Sequence, residues 1–432
     1  MRRTVLSTAL FAMIIAGGVA RADWAQFEGP DRSGVAPAIK LMAKWPAEGP
    51  EVLWTKRLGA GFGAAAVKDA MVFVLDRPDS DSDVLRVFDL QKGGELWRYQ
   101  YESKGRFSHP GSRSTPTVDD DHVYSVSSLG QVYCISRKTH KPVWTLHINK
   151  EYPEGRLKWG FAQSPLLHDG KLIVTPVSPD SPGLIAINKD DGKVIWESEK
   201  FGGDYYSSPT IRTIAGVTGV LQIFNNDVVF VNTDNGKIIW KYSGYYCKFP
   251  IPAPTVLPDG KTIFITGGYE AGSVMIRVNK SASGYKFDEL FKMVEGSHLH
   301  PVIHHGGFLY ANINENKTTR GAGMKNGGLA CIDPANGKVL WRTGDNPHLN
   351  RGNFVLADGK FIMLDGQLGD LYLIEPSSKG FRPISKSPVL KQQSTRKQNE
   401  VWAPIAISDG LAIVRDQRSL KCVRVGADSG PR

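Results

Sequence analysis

Short β-rich segments separated by tight turns, a recurring Gly-x-x-x-Trp pattern, and a second marker, usually proline, that returns about every 50 residues predict an all-β fold. The expected architecture is an eight-bladed β-propeller of four-stranded antiparallel blades, closed by an N-terminal strand that completes the last blade. Glycine stands four residues before tryptophan at Gly93 and Trp97, Gly192 and Trp196, Gly236 and Trp240, and Gly337 and Trp341, while His140 takes the glycine's place before Trp144. A turn needs positive φ, and glycine supplies it without a Cβ clash. The second marker, Pro116, Pro165, Pro209, Pro254, Pro301 and Pro404 with Val355 between the last two, opens each unit before an apolar strand. One four-stranded unit cannot bury both of its faces, so the units must stack around an axis.

Taken in order, the units fall near 64–101, 113–147, 162–199, 206–243, 251–293, 298–343 and 352–390. The last has only three strands of its own, 403–407, 411–415 and 420–425, whereas Val52-Leu53-Trp54-Thr55-Lys56 is a lone strand near the start. Docking that strand onto the last unit removes two exposed sheet edges. Two copies are degenerate: Phe291 replaces tryptophan in the fifth, and the seventh has Gly380-Phe381 and no tryptophan. A polar hairpin, Asn314 to Gly328, and a polar linker, Ser385 to Glu400, are the longest insertions.

Residues 1–22 have the pattern of a secretory signal: Arg2 and Arg3, an apolar run from Val5 to Val19, and Ala20-Arg21-Ala22 as a cleavage site. The run is shorter than the ~20 residues of a spanning helix, so no membrane span is expected. The reading is a periplasmic or secreted protein cut near Ala22, with the general or the twin-arginine export route both open. The domain reading follows: signal 1–22, lead-in 23–50, propeller 51–426 and tail 427–432. The formal net charge is +10, and three of the arginines lie in the signal. No dense Lys/Arg run or basic-aromatic ladder points to nucleic acid.

The repeat, with Asp or Asn followed by Gly-x-x-x-Trp, resembles the tryptophan-docking motif of the pyrroloquinoline quinone (PQQ)-like repeat family over nearly all of 45–426. Asp23-Trp24-Ala25-Gln26-Phe27-Glu28-Gly29-Pro30, Trp159-Gly160-Phe161-Ala162-Gln163-Ser164-Pro165 and Arg415-Asp416-Gln417 look like a bacterial exported subgroup of the planctomycete type. The resemblance implies that Trp54, Trp97, Trp144, Trp196, Trp240 and Trp341 wedge between neighbouring blades. It also implies a choice between quinone-dependent dehydrogenases and non-catalytic binding or assembly proteins. The adjacent cysteine pair of the alcohol dehydrogenases is absent from the sequence, as is a Cys-x-x-Cys-His haem motif, and no calcium-binding Glu/Asn/Asp set maps onto the chain.

Cys134, Cys331 and Cys422 share the repeat position of Ala186 on well-separated blades, and Cys247 has no mate, so free thiols are expected. Strand phasing divides His298 and His300 from His304 and His305, and Asp79-Ser80-Asp81-Ser82-Asp83 lacks the glycine and distal Glu of a calcium loop, so no metal site is expected. Residues just before each innermost strand should rim the central funnel: Arg113, Gln163, Tyr206, His298, His300, Arg351, Asn353 and Trp402, with Lys158 and Trp159 nearby. The competing reading is that these only satisfy loop backbones and fill the channel.

The sequence therefore favours a non-catalytic extracytoplasmic binding or scaffold protein without a cofactor. It would be a monomer whose partner is a cell-envelope protein, peptide or polysaccharide. A PQQ-dependent oxidoreductase with calcium, and an outer-membrane assembly scaffold, are the alternatives.

Overall fold

The computed structural model describes residues 23–37, 39–152, 159–178, 180–203, 205–314, 327–390 and 400–427. The signal-like segment 1–22, Lys158, residues 315–326 of the polar hairpin, 391–399 of the linker and 428–432 of the tail lie outside the described residues. Eight antiparallel sheets are present, seven of four strands and one, blade six, with an additional short strand. Blade one runs Ala66–Lys68, Met71–Asp76, Ser82–Asp89 and Glu95–Glu102. Blade eight has Ala406–Ser408, Leu411–Arg415 and Ser419–Arg424, and its outermost strand is Val52–Arg57, paired with Trp54 opposite Cys422. The first of these strands begins three residues later than the sequence suggested. Among the described residues the only α-helix is the single turn Ile148–Glu151.

The repeated glycine and tryptophan are two halves of one contact between blades. Each tryptophan sits on an outermost strand opposite a small or apolar residue of the next strand in: Ala186 faces Trp196, Cys134 faces Trp144 and Cys331 faces Trp341. All four cysteines are buried free thiols, three of them in that position beneath an indole. The indole then lies on the turn glycine of the following blade. A Cβ on Gly93 would stand 2.5 Å from Trp54, on Gly192 2.8 Å from Trp144, and on Gly236 2.6 Å from Trp196. The indole N–H donates to a carbonyl of the same turn, Leu90 for Trp54, Lys189 for Trp144 and Thr233 for Trp196, at 2.8–2.9 Å. At these three, large apolar area is buried while the single polar atom keeps a partner, whereas Nε1 of Trp240, 5.5 Å from Phe287 between ring centroids, has none among the described residues.

The degenerate copies show what the contact requires. Trp97 meets His140 instead of glycine, and the rings stack at 4.5 Å with 10° between their planes. Phe291 takes the indole's place against Gly337. In blade seven the register puts Ser385 opposite Leu373, the tryptophan position, and its hydroxyl accepts the backbone N–H of Trp45 at 3.0 Å. The reason is topological: the third and fourth strands of blade eight are far apart in the chain, so there is no turn glycine between them for an indole to cover.

The lead-in 23–50 is more than a connection. Trp24 pairs with Val67 of blade one, the Ala25 carbonyl accepts from Val118 of blade two, and Gly34 and Ala36 bracket Leu356 of blade seven. Between them Arg32, fully buried, donates to the carbonyls of Ser164 (3.1 Å), Pro209 (2.9 Å) and Pro165 on blades three and four. Burial, with Arg212 nearby, lowers its pKa to about 9. The segment is a plug across one axial end. Above it the innermost strands are tied to one another, with N–H of Ala64 to Oγ1 of Thr115, N–H of Thr115 to Oγ of Ser164, and N–H of Ser164 to Oγ of Ser208, all at 2.9–3.1 Å.

Gly93→Ala places a methyl into the Trp54 indole from a backbone with φ of 68° and should lower stability by about 1–3 kcal/mol. Gly94→Ala meets nothing within 4 Å and should stay within about 0.5 kcal/mol of the parent. Urea midpoints of the two variants measure the difference, and equal midpoints would remove the docking account.

Candidate functional site

The plug seals one axial end, and the connections that lead into the innermost strands meet at the other. There the rings touch in sequence around the axis. Phe62 lies 5.6 Å from Trp402, Trp402 6.2 Å from His109, and His109 6.5 Å from Trp159, centroid to centroid. Trp159 continues to Phe249 (4.8 Å), Tyr206 (5.1 Å) and Tyr269 (6.0 Å), and Tyr269 to His298 (4.5 Å). The guanidinium of Arg351 lies over the Trp402 ring at 5.4 Å.

Two of these side chains are delivered by left-handed backbone. Tyr269 and Glu270 have φ of 59° and 69°, and Leu349, Asn350 and Arg351 have 59°, 37° and 63°. Each such residue costs on the order of 1–3 kcal/mol and persists where its surroundings hold it. Here the hold is tight: a Cβ on Gly352 would fall on the carbonyl of Leu364, and one on Gly366 on the carbonyl of Asn350. Asn312 adds a hydrogen bond from Nδ2 to the Gly352 carbonyl at 3.0 Å. The loop is fastened to blades six and seven so that Arg351 points into the mouth.

The electrostatics of the mouth centre on that residue. Nε and Nη2 of Arg351 are buried and have no hydrogen-bond partner among the described residues. Burial lowers its pKa, against the opposing effect of Tyr269 and Glu400. His298 is held well below the usual imidazole range by burial first and then by Arg351 and His300, so it is neutral, and its Nδ1 is without a partner among the described residues. Burial raises the Glu400 carboxyl to about 7, with Arg351 pulling the other way, and an oxygen of it lies 3.7 Å from Nε2 of His109.

The ten candidate rim residues part company. Trp159, Tyr206, His298, Arg351 and Trp402 come together at the mouth. Arg113 lies beneath it, buried between Phe62 and Phe107 and donating to the carbonyls of Gly111 and His109. Gln163 is buried and donates to the Tyr205 carbonyl at 2.6 Å. Asn353 and His300 belong to the plug: Nδ2 of Asn353 donates to Oε1 of Glu28 at 3.1 Å and stands 3.1 Å from Nδ1 of His300. Lys158 lies outside the described residues. Sequence reasoning missed Phe62, His109, Phe249, Tyr269 and Glu400. Tyr269 comes from a turn inside blade five, and its one sequence signal is the glycine cluster Gly267, Gly268 and Gly272 around it.

A concavity of about 410 Å³ lies on the plug face among Val35, Ile211, Arg212, Pro254, Pro301 and His304. Its guanidiniums are already spoken for, because Arg212 donates to the carbonyls of Asp31, Ile211 and Arg32 at 2.8–2.9 Å.

The architecture is a closed eight-bladed ring, plugged at one end and lined with aromatic and charged side chains at the other. The chain belongs to the PQQ-like repeat family: the family model described as outer membrane protein assembly factor BamB matches residues 80–343. Similar solved structures include BamB from Moraxella catarrhalis, at 12% identity over 88% of this chain and 99% of that one, with a TM-score of 0.57. A europium-containing methanol dehydrogenase (12%, 91% and 89%, 0.63) and the quinohemoprotein alcohol dehydrogenase from Comamonas testosteroni (13%, 95% and 82%, 0.64) also match. At these identities the likeness is one of fold. A comparison with curated proteins found no match.

The mouth carries no assembled carboxylate cage for calcium among the described residues. Calcium needs six to eight oxygens, and among the described residues no three His, Cys, Asp or Glu side chains converge to hold a metal. The alternating carboxylates near 80 are used locally: Asp79 caps the N–H groups of Asp81 and Ser82, and Asp83 pairs with Arg77 at 3.0 Å. Trp159 and Tyr269, 22° from parallel, are 6.0 Å apart and already in mutual contact, so no third ring fits about 3.5 Å from each.

The sign of the Glu400 effect on stability follows from its raised pKa. Between the ordinary carboxyl value and about 7 the folded chain holds a proton that the unfolded chain has lost. That contribution is complete below the unfolded pKa and is gone once pH has risen through about 7. Thermal midpoints measured across this window should fall more steeply for the parent than for Glu400→Gln, and parallel curves would show that the carboxyl titrates normally.

Proposed function

We propose that the chain is a non-catalytic extracytoplasmic binding or scaffold module whose ligand enters at the aromatic mouth. The observation that carries this reading is Arg351, a guanidinium held over Trp402 by strained backbone with two buried nitrogens that lack partners among the described residues. Strain and desolvation are retained together where an incoming group relieves the second. An envelope location is supported by the signal pattern of 1–22, and no helix among the described residues is long and apolar enough to cross a membrane. Its partners would be envelope polymers or proteins, and no residue set at the mouth recommends a redox cofactor.

Immobilised protein should capture an envelope component, and the pair Tyr269→Ala with Trp402→Ala should lose it while Thr213→Ala, on the plug face, keeps it. Capture unaffected by the mouth pair would place binding elsewhere. Saturating PQQ with calcium should leave the thermal midpoint unchanged, and a saturable rise would favour the oxidoreductase reading instead.

A further inference from the structure

The side chains of the mouth select among ligands, provided that the mouth is the binding site as read above. Nε and Nη2 form the side-on edge of a guanidinium, whose two parallel N–H groups match the two oxygens of a carboxylate. That edge is the part of Arg351 that has no acceptor among the described residues. Beside it stands His298, neutral and buried, with Nδ1 unpartnered among the described residues and the Tyr269 ring 4.5 Å away. A neutral imidazole nitrogen suits a hydroxyl better than a second charge.

The aromatic faces are tilted against each other rather than set as parallel walls. Phe62 and Trp402 make 32°, Trp159 and Phe249 58°, and Phe249 and Tyr269 76°. Such a surface suits a puckered ring that lays C–H groups on one face at a time. A flat fused system gains most from two parallel walls, and the nearest approach to such a pair, Trp159 with Tyr269, is closed on itself. Trp159, Tyr269 and Trp402 are each only partly buried. Without the three arginines of 1–22, the net charge falls from +10 to +7, which adds a weak long-range preference for anions.

We propose that the mouth is a subsite for a uronate, a sugar ring bearing a carboxylate, with Arg351 taking the carboxylate, His298 a hydroxyl and the Trp402 and Tyr269 faces the ring. The natural ligand would then be an acidic envelope or extracellular polysaccharide rather than a free monosaccharide, because a single ring offers few contacts.

Calorimetry with oligogalacturonate and oligoglucuronate, neutral oligosaccharides of the same backbones, and metal-free PQQ tests the assignment on the mature chain. Acidic oligomers should bind about tenfold or more tighter than neutral ones, a difference of about 1.4 kcal/mol. Arg351→Gln should abolish that preference. Arg351→Lys, which keeps the charge but not the paired N–H edge, should lose about tenfold in acidic affinity with an unchanged thermal midpoint. Equal affinity for acidic and neutral oligomers, unchanged acidic affinity in both Arg351 variants, or a preference for the quinone would overturn the proposal. If no saccharide binds while envelope capture still depends on Tyr269 and Trp402, the ligand class is wrong and the binding site stands. If capture ignores those residues, the site itself is wrong.

Discussion

Everything in this molecule depends on one pairing, that of Val52–Arg57 with Ser419–Arg424. The two segments are the first and last long strands of the ring, so their hydrogen bonds close it. An open ring of sheets leaves edges whose N–H and C=O groups invite other chains, whereas a closed one leaves none between first and last blade. Closure also determines where the chain must enter. Because the strand at Val52 belongs to the outer edge of blade eight, everything before it has to come from elsewhere, and the lead-in comes across the axis. The plug is a consequence of closing the ring with the chain's own start.

Plugging one end gives the two axial faces different chemistry. On the plug face, backbone pairs with backbone, and the charged groups that must be there are neutralised by carbonyls. On the other face, no segment crosses among the described residues, and the connections between blades bring their own side chains inward. Aromatic rings can line such a surface because their edges and faces satisfy one another at 4.5–6.5 Å without requiring polar partners. The mouth is therefore built largely from residues that do not depend on one another's hydrogen bonds. Among its polar groups, Nε and Nη2 of Arg351 and Nδ1 of His298 have no partner among the described residues.

The parts of this structure that could be read from the sequence are the parts made by local repetition. Strand, turn and strand recur in register, so Gly93 and Trp97 announce a blade wherever they occur, and the lone Trp54 announces the missing strand. Blade seven lacked the mark because its partner turn does not exist, which only the closed ring explains. The plug was invisible for a different reason. Arg32 donates to backbone carbonyls 132 and 177 residues away, and a carbonyl carries no sequence identity. At the mouth, phase along the blade located Trp159, His298, Arg351 and Trp402, but the same rule also gathered Asn353 and His300, which the plug engages through Glu28. It passed over Tyr269 and Glu400 because neither sits in the repeat position that defined the search.

The buried arginines make the distinction between structural and available charge concrete. Arg32 is surrounded by carbonyls of Ser164, Pro165 and Pro209. Arg415, equally buried, donates to Gly59, Gly63 and Leu75 carbonyls and to the Ser112 hydroxyl, stapling blade eight to blade one. Arg77 reaches the Ser103 and Gly105 carbonyls and the Asp83 carboxylate. Leaving a buried charged group without acceptors costs more than a neutral one, and at these sites carbonyls, hydroxyls or carboxylates take both terminal nitrogens, although Nε of Arg415 has no partner among the described residues. Arg351 is presented by a loop fastened as firmly as any of them, through Gly352, Gly366 and Asn312, yet no carbonyl is turned toward its Nε and Nη2 among the described residues. A loop this well held had the means to satisfy its own arginine. That it leaves this edge unsatisfied beside the Trp402 ring separates Arg351 from the structural arginines, and the proposed recognition rests on that difference.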